Sequence, residues 1–68
     1  MTDAADAPTI TSIADLLAVA YRIETDAVER YTMLAEQMAS HNNPELAVVF
    51  QDLARAEGLH AAEIRRIA

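Results

Sequence analysis

Read at alternating steps of four and three, the chain carries two apolar stripes. Ile13, Leu17, Ala20, Glu24, Ala27, Tyr31, Leu34 and Met38 make the first, and Leu46, Phe50, Leu53, Glu57, His60, Ile64 and Ile67 make the second. This spacing puts side chains on one face of an α-helix, so two amphipathic helices are expected. Ser12 followed by Asp15 resembles a capping box with Asp in place of Glu, which starts the first helix at Ile13 and lets it run to Ala39 or Ser40. Such a helix of about 27 residues is ~40 Å long, a length usual in four-helix bundles. His41-Asn42-Asn43 breaks the pattern, and Asn43-Pro44-Glu45 opens the second helix with an N-cap, a proline at N1 and an acid in the first turn. Arg65 and Arg66 complement the dipole at its other end. So short a connection makes the two helices antiparallel neighbours.

The predicted organisation is a flexible acidic tail over residues 1–11, with Asp3, Asp6 and Pro8, followed by a helical hairpin over 12–68. No glycine or other C-cap signal stands at Ala68, so the chain is expected to be cut from a longer polypeptide.

Composition sharpens this picture. The 68 residues, 53% apolar and with one glycine and two prolines, suit a packed all-α protein, yet so short a chain without a cysteine rarely completes a core alone. A hairpin that dimerises into a four-helix bundle is therefore expected. The absence of cysteine excludes disulfides, thiolate metal sites and iron–sulfur clusters, which leaves oxygen and nitrogen as metal ligands. Five Arg against eleven Asp and Glu give a net charge of −6, the wrong sign for tracking phosphates, so nucleic acid is not an expected partner. The longest apolar run, Leu16 to Tyr21, falls far short of the ~20 residues that cross a bilayer, and no basic segment opens the chain as in a secretory signal. The expectation is a soluble, cytoplasmic protein without a membrane partner.

Three ionisable residues interrupt the stripes: Glu24, Glu57 and His60. A carboxylate in a bundle core costs several kcal/mol unless it is paired or binds a metal. Glu57 and His60 lie three residues apart, hence about 4.5 Å along one helix face, and can reach a single point. Two hairpins related by a two-fold axis would supply Glu24 twice and Glu57 with His60 twice, six ligands for two metals. Four carboxylates then offset the charge of two divalent cations while the imidazoles stay neutral. Without metal the carboxylates repel and titrate as a coupled set. Oxygen and nitrogen ligation admits iron or manganese. The other reading is a buried polar layer that fixes helix register in a non-catalytic dimerisation or interaction module.

Ile23-Glu24-Thr25-Asp26-Ala27-Val28-Glu29-Arg30-Tyr31 resembles the first helix of rubrerythrins, where a ligand Glu is followed by Ala at three residues and Arg-Tyr at six and seven. Pro44-Glu45-Leu46, Phe50, Leu53-Ala54, Glu57 and His60-Ala61 resemble the second. The likeness runs from about Ile13 to Ile67 and places the chain with the ferritin-like superfamily. A single hairpin in place of two is similar to the half-ferritins packaged in encapsulin shells, which assemble as dimers and rings of dimers. Ala27 stands where the second repeat of rubrerythrins carries a further Glu. The resemblance implies a ferroxidase, oxidising Fe(II) with oxygen at a di-iron site shared across a homodimer, in iron storage or detoxification and with an encapsulin shell as a further partner. It implies Glu24, Glu57 and His60 as both metal ligands and catalytic residues, iron at two per dimer, and a peroxide-reducing di-iron protein as the alternative chemistry.

The remaining residues have plainer expectations. Tyr31, on the face of Glu24, is either a core aromatic or a hydroxyl that orients a ligand carboxylate. Tyr21 belongs at the edge of the core, Met33 and Met38 in packing, and His41 in a solvated loop. Glu29, Glu36, Asp52 and Glu63 read as polar faces, with Asp26–Arg30 and Glu63–Arg66 at helix-pair spacing and Glu63 on a route by which iron could reach His60. Val19, Val48 and Leu59 form a second apolar surface that fits assembly beyond the dimer. Gly58 costs its helix about 1 kcal/mol relative to alanine.

Overall fold

The computed structural model describes residues 11–68, so the tail expected ahead of the helices falls, but for Thr11, outside the described residues. Two helices, α1 (Ile13–Ser40) and α2 (Pro44–Ile67), make an antiparallel hairpin, and there is no strand among the described residues. None of the described helices is long and apolar enough to cross a membrane.

Local chemistry fixes both helix starts. Ser12 has extended backbone, and its Oγ accepts the Asp15 amide at 3.1 Å. Asp15 Oδ2 in turn accepts the Thr11 hydroxyl at 2.7 Å and the Thr11 amide at 3.2 Å, which lowers the Asp15 carboxyl from its ordinary value. Asn43 Oδ1 accepts the Leu46 amide at 3.3 Å, with Pro44 in the first turn where its missing N–H is not needed. Between them, His41 donates its amide to Gln37 O at 3.0 Å and places Nδ1 2.7 Å from the same oxygen. Asn42 takes the left-handed conformation at φ 63, which asparagine tolerates better than most residues, and the chain reverses.

Alanines line the contact between the helices. Ala35, Ala47 and Ala61 are 4%, 4% and 6% exposed, and they are the buried apolar residues among those described. Their small side chains let the two backbones approach. Tyr31 and Phe50 add a stacked pair across the hairpin, with centroids 6.1 Å apart and planes at 19°.

Among the described residues, no large side chain is fully buried. Of the stripe positions, Leu17, Leu34, Met38 and Ile64 are half-buried, while Ile13 is 76% and Leu46 42% exposed, with Leu53 and Ile67 also open. Two cylinders touch along one line, and the stripes are centred to the side of that line. The hairpin is a single layer, 10 Å thick across its Cα atoms, and a helical layer needs another to complete a core. Among the pairs expected from spacing, Glu63 and Arg66 form an ion pair; Asp26 and Arg30 do not, and Asp52 pairs with Arg55 at 3.1 Å.

Candidate metal centre

The register of the hairpin assembles the site. Tyr31 lies seven residues after Glu24 and Phe50 seven before Glu57, so the antiparallel pairing that stacks the two rings also brings Glu24 level with Glu57. His60 follows on the next turn of α2. Each of the three offers a ligand atom within 4.8 Å of the others, and no other such group of three or more donors gathers among the described residues.

His60 Nδ1 stands 3.3 Å from Glu57 Oε1 and 4.0 Å from Glu24 Oε1. The Glu24 and Glu57 side chains are 25% and 26% exposed, whereas that of His60 is 64% exposed and forms the open side. The carboxyls act as a pair. A hydrogen bond with Glu57, then burial, then the Glu57 charge raise the Glu24 carboxyl above its usual value of 4.5 against a smaller pull from His60. The same bond to Glu24, with help from His60, lowers Glu57 despite burial.

This donor set fits a divalent cation. Ions bound by oxygen and nitrogen sit about 2.0–2.2 Å from each ligand, so donors up to ~4.4 Å apart can share one. The observed separation closes with a side-chain adjustment of a few tenths of an ångström. Binding requires deprotonated ligands, so protons compete with a cation for the raised Glu24 carboxyl as pH falls. Two carboxylates with one imidazole suit iron or manganese and lack the sulfur that would favour softer metals.

The other residues singled out by the sequence lie elsewhere. Tyr31 stacks on Phe50, and among the described residues its hydroxyl makes no hydrogen bond to Glu24 or Glu57. His41 is exposed and tied to the end of α1, and Glu63 is engaged by Arg66. The neighbouring Tyr31–Phe50 stack was not read from sequence, although equal heptad offsets from the hairpin turn signal it.

Among known proteins, the Rubrerythrin family profile matches residues 15–68, a span that takes in both helices and all three donors. No curated protein and no solved structure matches the chain significantly. The match runs through the whole hairpin that creates the site, and the chain belongs to the rubrerythrin family, a di-iron type of protein with an iron-related, oxidoreductase-type role.

Proposed function

We propose that the protein is a ferroxidase that takes Fe(II) as substrate and oxidises it with dioxygen at a site shared by two copies of the chain. The observation that supports this reading is the convergence of Glu24, Glu57 and His60 to within 4.8 Å on a face that the hairpin leaves uncovered. One chain supplies three donors. A second copy, related by a two-fold axis, raises the set to six, enough for two Fe(II) held ~3.5–4 Å apart.

In this reading Glu24 and Glu57 bridge or terminally bind the irons, and His60 binds one iron per chain. Each Fe(II) gives up one electron, and dioxygen accepts two electrons with two protons to become hydrogen peroxide. The residues keep the reacting ions in one place and offset their charge, with water displaced by the apolar surroundings of the second copy. The setting is iron storage or detoxification. An encapsulin shell is the proposed container, since a dimer of flat hairpins encloses no mineral-sized cavity of its own.

An anaerobic Fe(II) titration followed by admission of oxygen tests the reading. Saturation near one iron per chain, and ferric absorbance that rises much faster than in protein-free buffer, are expected. Absence of saturable binding would leave the helical interaction module as the better reading. Faster turnover with hydrogen peroxide than with oxygen would favour the peroxide-reducing one.

A further inference from the structure

We propose that Ala61 sets which divalent cations the centre accepts, by fixing how closely the two helices approach beside the donors. This rests on the reading of Glu24, Glu57 and His60 as cation ligands and deepens it, because it concerns the size of the ion rather than its oxidation.

Two of the donors ride on α2 and one on α1. The 3.3 Å between His60 Nδ1 and Glu57 Oε1 is internal to α2. The 4.0 Å between His60 Nδ1 and Glu24 Oε1 spans the hairpin and follows the spacing of the helices. Glu24 and Glu57 face each other over the same gap, with all three donor atoms within 4.8 Å. A small cation with ligands at about 2.0–2.2 Å joins donors no more than ~4.4 Å apart, which leaves little slack at the cross-helix distance. Calcium, with oxygen ligands at about 2.3–2.6 Å, joins donors up to ~5.2 Å apart. The gap between the helices therefore discriminates between ions of the two sizes.

That gap depends on the side chains at the helix contact. Ala35, Ala47 and Ala61 are buried there, and of these Ala61 is beside the donors. With Glu24 level with Glu57, it stands level with Ala20, next to His60 in sequence and about 6 Å along α2 from Glu57. At 6% exposure it has no room to grow toward solvent, so methyl groups added there press on α1 one turn from Glu24. Ala47, 4% exposed, is as well buried but about 15 Å from Glu57 on the turn side. Comparing the two positions separates an effect on the centre from an effect on folding.

Calorimetric titration of the full chain with Mn(II) and with Ca(II), without oxygen, tests this, with helix content and denaturation read on the same variants. The parent is expected to favour Mn(II). Ala61→Val should weaken Mn(II) binding by ~10-fold, the low end of what lost ligand support costs, and change Ca(II) binding by less than ~3-fold. Ala61→Ser, a smaller increment, should lower the Mn(II) to Ca(II) affinity ratio by ~3-fold. Ala47→Val should lower stability as Ala61→Val does and leave the ratio at the parent's value. An unchanged ratio in Ala61→Val, or in Ala61→Ser should the valine variant not fold, would overturn the proposal, as would an equal fall in Ala47→Val. A parent that binds neither ion would overturn it together with the cation site. A ratio that falls in Ala61→Val, in a protein that does not accelerate Fe(II) oxidation, would uphold it and remove the ferroxidase alone.

Discussion

Glu24 and Glu57 are alike in burial, yet their carboxyls shift in opposite directions, Glu24 upward and Glu57 downward, chiefly because each faces the other. His60 Nδ1 lies near both, 3.3 Å from Glu57 and 4.0 Å from Glu24. A cation competes with protons for these carboxyls. Metal binding is therefore expected to release protons and to weaken as pH falls, starting above the usual 4.5 because the Glu24 carboxyl is raised. Calorimetric titration with Mn(II) in buffers of different ionisation enthalpy checks this; an apparent enthalpy that does not depend on the buffer would contradict it. In the proposed shared site Glu57→Ala removes a ligand from each copy and leaves its neighbours unsatisfied, so a loss of at least ~100-fold in Fe(II) affinity is expected. The convergence of Glu24, Glu57 and His60 was legible because an ionisable residue in an apolar stripe is conspicuous. Coupled titration was expected, but the direction in which each carboxyl shifts was not, since it depends on how closely two carboxyls from different helices approach.

At the scale of the helices, what is local was legible. Ser12 and Asn43 cap as the sequence predicts because each bond spans three residues and needs no tertiary contact. Ser12→Ala should cost about 1 kcal/mol, measured by chemical denaturation. Asp15 adds a pH dependence of known sign. Its carboxyl lies below the ordinary 3.8 in the folded protein, so its contribution is present above that value and is lost as pH falls through the folded pKa. The stability difference between the parent and Asp15→Asn should therefore be present at neutral pH and vanish in strong acid. Gly58 makes the opposite kind of prediction. A Cβ there would meet Val28 Cγ2 at 4.0 Å, an ordinary contact, so nothing in the hairpin requires glycine. Gly58→Ala should stabilise the protein by up to ~1 kcal/mol in thermal or chemical denaturation. Asp26–Arg30 shows the limit of such reasoning, because helix spacing permits an exposed pair without making it worthwhile.

For the whole molecule, the stripes specified a hairpin and also more core than a hairpin can use. The large residues that define them remain partly or mainly exposed, while alanines outside or at the margin of the stripes form the buried seam. A stripe shows which residues want burial; it does not show whether the same chain provides the cover. The structure separates two apolar surfaces that can be tested against each other. Leu53 lies on the stripe that carries Glu57, whereas Val48 and Leu59 are exposed away from it. In the proposed dimer Leu53→Asp would forfeit about 1 kcal/mol of burial per copy and bring a further carboxylate into the interface. Counted twice by symmetry, this weakens the dimer by at least ~30-fold, since each 1.4 kcal/mol is tenfold. Val48→Asp and Leu59→Asp should leave the dimer constant unchanged and act only on larger assemblies. Sedimentation in Mn(II) distinguishes the surfaces: a dimer that tolerates Leu53→Asp but is lost in Leu59→Asp would move the two-fold interface to the opposite side of the hairpin and separate it from the metal centre.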